Sequence, residues 1–148
     1  MKRNNTGRKP FRRKAYPQLF IAPSKIHGLG LFAGEDIGWG QRLIEFQGQR
    51  LNPKEVTVRQ NFYKSIGFTC LIEFNDGRGV DGVMGANESR FINHSARPNV
   101  AALREGDWGI VFYSLVDIEK GQELTFDYGF DPRPKIAISP HSERNKPV

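Results

Sequence analysis

RFINHSARPNV, residues 90–100, is answered by GQELTFDYGF at residues 121–130, and the reading of these two stretches decides the fold. In the first, Asn93, His94 and Ser95 followed by Pro98 and Asn99 are polar and turn-forming, yet they lie between apolar runs. That pattern predicts an ordered loop held against a core, not a linker in solvent. The second stretch is a short strand-like run that ends on a tyrosine, Tyr128. Side chains alternate along an extended chain, so T-F-D-Y puts Phe126 and Tyr128 on one face.

Outward from this pair, the chain reads as a succession of short strands. Apolar or alternating runs occur at 19–22, 29–33, 42–46, 68–74, 100–103, 108–114 and 123–126, with turns at 38–40, 75–77, 104–107 and 119–121. One helix is marked at its start. Asn52 is an N-cap, Pro53 takes the first helical position and Glu55 completes a capping box, with a body running to about Ser65. A second, short helix is expected around 87–92. These elements predict a mostly β fold with short helices, a β-rich α+β domain over residues 18–130, flanked by tails at 1–17 and 131–148.

The 148 residues suffice for one domain that buries roughly two thirds of its unfolded surface. A single cysteine, Cys70, rules out a disulfide framework, and His27, His94 and His141 are scattered without ligand spacing, so no metal is expected. Inside FTCLIEF, Cys70 reads as a small buried hydrophobe. No apolar run approaches the roughly 18 to 20 residues of a membrane span, and no apolar segment follows the N-terminal basic residues. A cytoplasmic protein without membrane contact is the expectation.

The net charge of +6 is segregated. Residues 1–18 hold seven Lys and Arg and no acid; residues 19–130 hold eleven against fourteen Asp and Glu, net −3; residues 131–148 hold four against two. The first segment reads as a solvated, disordered basic tail, with nucleic-acid contact through it as the alternative. An acidic body suits a protein that handles cationic, lysine-bearing substrates, and it speaks against the body itself touching phosphate.

Gly28-Leu29-Gly30-Leu31-Phe32-Ala33 fits G-x-G-x-x-A, a dinucleotide-binding pattern only where a helix follows. Gly34, Gly38, Trp39 and Gly40 cannot build that helix, so the residues alone describe a tight turn between strands. His94 and Ser95 likewise make a poor base and nucleophile, because adjacent residues on an extended chain point apart and no G-x-S-x-G is present.

In this order, Gly28-Leu29-Gly30, Asn93-His94-Ser95 and the run ending in Tyr128 resemble the three motifs of the SET-domain protein-lysine methyltransferases, over about residues 24–130. That family commonly has a cysteine after Asn-His-Ser, which shares a zinc with three cysteines beyond the domain. Here the position is Ala96 and the others are lacking, so the chain is similar to the small autonomous bacterial and viral members. The resemblance implies S-adenosylmethionine as cofactor, lined by His27, Gly28, Leu29, Gly30, Asn93, His94 and Tyr128, with Arg90 and Phe91 packed beneath. A structural ion pair of Arg90 with Glu123 or Asp127 is an equal reading. Residues 131–148 would close the substrate channel in place of a zinc-bearing lid.

The implied reaction is methyl transfer to the ε-amine of a protein lysine, with the Tyr128 hydroxyl as the catalytic group that orients the amine. The channel walls would be Phe112, Tyr113, Phe126 and Phe130, and either Phe68 or Cys70, according to register, would stand where the family commonly has a tyrosine. A phenylalanine at 126 implies room for an amine already methylated, hence di- or trimethyllysine. Two other functions stay open: a catalytically silent module that binds a lysine-bearing peptide, and a basic-tailed nucleic-acid-associated protein whose core is a scaffold.

Overall fold

The computed structural model describes residues 16–66 and 70–128. Phe68, Phe130, the tail at 131–148 and all of the N-terminal tail but Tyr16 and Pro17 lie outside the described residues. The elements are β1 (Leu19–Pro23), β2 (Leu29–Ala33), β3 (Arg42–Glu45), β4 (Gln49–Leu51), α1 (Pro53–Ile66), β5 (Leu71–Glu73), β6 (Gly79–Asp81), a 3-10 turn at Glu88–Phe91, β7 (Asn93–His94), β8 (Val100–Glu105), β9 (Gly109–Ser114) and β10 (Thr125–Phe126). They form three small sheets: β1 with β2, β4-β6-β5, and a five-stranded sheet in the order β3-β9-β8-β10-β7.

The capping box forms as the sequence predicts. The Asn52 amide donates to Glu55 Oε2 at 2.8 Å and the Glu55 amide to Asn52 Oδ1 at 3.0 Å. The expected second helix is a single 3-10 turn capped by Asn87. Three strands escape the apolar pattern: Gln49-Arg50-Leu51 is mostly polar, Gly79-Val80-Asp81 is too short to alternate visibly, and Asn93-His94, expected as an ordered loop, is a two-residue polar strand.

One core unites the sheets. Leu31, Leu43, Phe74, Val100, Ile110, Phe112, Ile118, Leu124 and Phe126 are all buried in it. A smaller cluster of Leu51, Val56, Tyr63 and Leu71 seats α1 on the three-stranded sheet. That contact is completed by Asp81, whose fully buried carboxylate accepts from Arg59 and from the Tyr63 hydroxyl, each at 2.5 Å, and from the Val83 amide at 2.9 Å.

What positions the site is an unusual insertion. β10 lies between β7 and β8 and runs parallel to both, although β7 and β8 are successive in the chain. Asn99 makes room for it: its amide donates to the Thr125 carbonyl at 3.1 Å, its side chain donates to the Glu123 carbonyl at 2.8 Å, and its Oδ1 accepts from the Thr125 amide at 2.8 Å. A carboxamide carries both donor and acceptor, so one residue replaces the missing sheet partners around the insertion.

Candidate functional site: a clamped loop beside an aromatic wall

The insertion brings residues 93–94 and 123–128 against the turn between β1 and β2. Asn93 reaches into that turn, with its side-chain nitrogen 3.1 Å from the His27 and Leu29 carbonyls and 2.8 Å from Glu123 Oε1. Glu123 also accepts from the Ser24 hydroxyl at 2.8 and 2.9 Å. Ser24 Oγ in turn accepts from the Ile26 and His27 amides. The result is a closed ring of hydrogen bonds around residues 24–30.

The two glycines have different reasons to be there. Gly28 has φ +49, which a side chain would strain, and open space where a Cβ would stand. Gly30 lies in β2 opposite Ala22, and a Cβ on it would come within 2.3 Å of Glu123 Oε1. The sequence reading found the motif but missed Glu123 and Ser24. The available signal was Gly30 itself, a glycine inside a strand, which marks a close approach by another group.

The other half of the site is apolar. The ring centroids of Phe126 and Tyr128 are 5.5 Å apart, in line with the alternation of T-F-D-Y, and Phe112 backs Phe126 edge-on at 5.4 Å. His94 lies 5.3 Å from the Tyr128 ring, and its Nδ1 accepts from the Tyr128 amide at 3.0 Å. The Tyr128 hydroxyl donates to the Ile92 carbonyl at 2.5 Å. Burial raises its ionisation well above the usual phenol range, and the nearby Cys70 and Glu123 act in the same direction. Cys70 packs against the same core, and burial first, then Asp81, pushes its thiol up to about 12.

Not every expected residue joins this group. Tyr113 follows Phe112 on β9 and turns to the opposite side, where its hydroxyl donates to Glu105 and Arg42 pairs with the same carboxylate group. Phe112 is buried behind Phe126 and supports the wall from within. Arg90 is exposed with its guanidinium 4.7 Å over Phe91, while Glu123 is taken up by Ser24 and Asn93. Leu29 and His27 are exposed at the mouth of the clamped loop. Among the described residues no group of three or more His, Cys, Asp or Glu is placed to hold a metal, and no helix is long and apolar enough to cross a membrane.

Comparison with known proteins bears on this arrangement. The SET domain family pattern matches residues 28–129. The chain is 41% identical over 118 residues to "Histone-lysine N-methyltransferase, H3 lysine-4 specific" of Schizosaccharomyces pombe, covering 76% of this chain and 13% of that protein. It is 39% identical over 111 residues to histone-lysine N-methyltransferase 2B of Homo sapiens, covering 72% of this chain and 4% of that one. The chain thus spans a small part of the length of these relatives. Among solved structures, Chaetomium thermophilum Polycomb Repressive Complex 2 bound to GSK126 aligns with TM-score 0.71 at 30% identity, over 78% of this chain and 16% of that chain. The same complex in an autoinhibited conformation bound to S-adenosylmethionine aligns equally well, over 15% of its chain. With the inserted strand, the clamped glycine loop and a family match over most of its length, this chain belongs to the SET-domain family.

Proposed function

We propose that the chain is an S-adenosylmethionine-dependent protein-lysine methyltransferase acting on a basic protein, with histones as the first candidates given the names of its relatives. The observation that carries this reading is Tyr128: a half-buried phenol, anchored to the Ile92 carbonyl, at the end of an apolar wall beside the clamped loop.

The residues present fit the cofactor. Gly28 leaves open space at the turn, and the His27 and Leu29 carbonyls on either side of it are fixed by Asn93, which His94 follows in β7. When bound, S-adenosylmethionine supplies a methyl group on a sulfonium, which a neutral lysine amine can take. Tyr128 meets the needs of such a transfer in a defined way. Its proton is committed to Ile92 and its ionisation is raised, so across the physiological range it is a neutral, fixed dipole whose oxygen lone pairs accept from the amine. It is a holder of geometry and not a base. Taking the amine from an ordinary 10.4 to about 7.5 corresponds to roughly 4 kcal/mol of differential stabilisation, and an apolar surround of Phe126 and Cys70 acts in that direction.

The test is incubation with methyl-labelled cofactor and a panel of histones and other basic proteins, followed by mass spectrometry. The native chain is expected to yield di- or trimethyllysine. Tyr128→Phe should lose about 100-fold in turnover, some 2.7 kcal/mol, while cofactor affinity stays within about twofold. A Tyr128→Phe variant as active as the native chain would overturn the role of the phenol. A native chain that binds cofactor but methylates nothing would favour the silent binding module.

A further inference from the structure

Three side-chain contacts and a main-chain one converge on a residue that the sequence motifs pass over. Glu123 accepts from Ser24 and Asn93, lies against the bare α-carbon of Gly30, and has its own carbonyl held by Asn99. Its backbone is equally committed: it bridges Phe32 of β2, and the next amide, that of Leu124, donates to the Leu31 carbonyl at 2.7 Å. The Ser24 hydroxyl cannot serve the Ile26 and His27 amides in this orientation unless its own proton has an acceptor, and that acceptor is Glu123. Asn93, in turn, is aimed at the His27 and Leu29 carbonyls by the same carboxylate.

We infer that Glu123 is a positioning residue for cofactor binding: it holds residues 24–30 in their binding shape through Ser24 and Asn93 and touches the cofactor at no point. This rests on the methyltransferase reading. The effect should be confined to one substrate, because the lysine wall is anchored separately. Tyr128 is fixed by hydrogen bonds to the His94 ring and the Ile92 carbonyl, and what reaches it from Glu123 is the carboxylate's charge.

Calorimetric titration of the full chain with S-adenosylmethionine, paired with steady-state kinetics, tests this. Glu123→Ala should weaken cofactor affinity at least about tenfold and raise the cofactor KM in parallel, with peptide KM and kcat at saturating cofactor within about threefold of native. Glu123→Gln should return affinity to within about threefold, because the amide oxygen can still accept from Ser24 and Asn93. Amide exchange at Ile26 and His27 should quicken in Glu123→Ala even without cofactor. Native-like affinity and exchange in Glu123→Ala would overturn the inference, as would a Gln variant as weak as Ala, which would make charge and not geometry the cause. If Glu123→Ala fails to fold, Ser24→Ala carries the same test, and unchanged cofactor affinity there overturns it. A native chain that binds no cofactor sinks the methyltransferase reading and this inference together, whereas normal native binding matched by Glu123→Ala sinks the inference alone.

Discussion

Asp81 and Glu123 do similar work in two parts of the molecule by different means. Each is a carboxylate that gathers donors from separate segments. Asp81 is wholly buried and takes a guanidinium, Arg59, besides a phenol and an amide. Glu123 is gripped by a hydroxyl and a carboxamide, both neutral. Where the purpose is to seat α1 on a sheet, the negative charge is cancelled inside the protein. Where a cationic sulfonium ligand is proposed to bind, the donors that grip the carboxylate, Ser24 and Asn93, are neutral and fix its geometry. The same side-chain chemistry thus serves the fold in one place and the site in the other, and the partner's charge tells the two apart.

The largest expected effect strains this contrast at Asp81. Asp81→Ala takes the acceptor from the buried Tyr63 hydroxyl and the Val83 amide and unpairs Arg59, and should destabilise the chain by about 2 to 4 kcal/mol. Urea unfolding reads it, and a loss under about 1 kcal/mol would mean that the ion pair is a bystander and the contrast false. Next comes the thiol that feels the same carboxylate. Cys70 is held neutral up to about 12, so at pH 8 iodoacetamide should modify it two to three orders of magnitude more slowly than an exposed cysteine. The linkage has a definite sign. A thiol raised from 9.0 to about 12 contributes stability that is fully present below pH 9 and is lost as pH climbs toward 12, so unfolding midpoints should fall over that window and Cys70→Ala should flatten the fall. Rapid labelling of the folded chain would contradict this. The smallest effect sharpens the comparison by loosening α1 without touching Asp81. Asn52→Ala removes the cap and should cost about 1 kcal/mol, with cofactor affinity unchanged. A cap loss that weakened cofactor binding would show that the two regions are not independent.

Much of this was legible in the sequence, and the failures have physical causes. The capping box could be read because its partners are three residues apart, and the pairing of Phe126 with Tyr128 because strand alternation is local. Tyr113 was expected on the channel side together with its neighbour Phe112, which one strand cannot satisfy with adjacent residues. Glu123 was legible only as a charge, since its partners Ser24 and Asn93 are 99 and 30 residues away and neither spacing leaves a periodic trace. The expectations for Phe68, Phe130, residues 1–15 and residues 131–148 fall outside the described residues.

The slotting of β10 between β7 and β8 has a consequence for how the protein comes into being. A ribosome delivers both flanking strands, together with the loop that joins them, before the strand that must lie between. Until residue 128 has left the exit tunnel, β7 and β8 lack the neighbour they share, and neither the grip on the glycine turn nor the phenol is in place. Such long-range parallel pairing is slow to form because chain entropy is lost before the pairing is gained. The strand made last is therefore the one that carries Glu123 and Tyr128 to the glycine turn, so on the methyltransferase reading the two halves of the site come together in a single step.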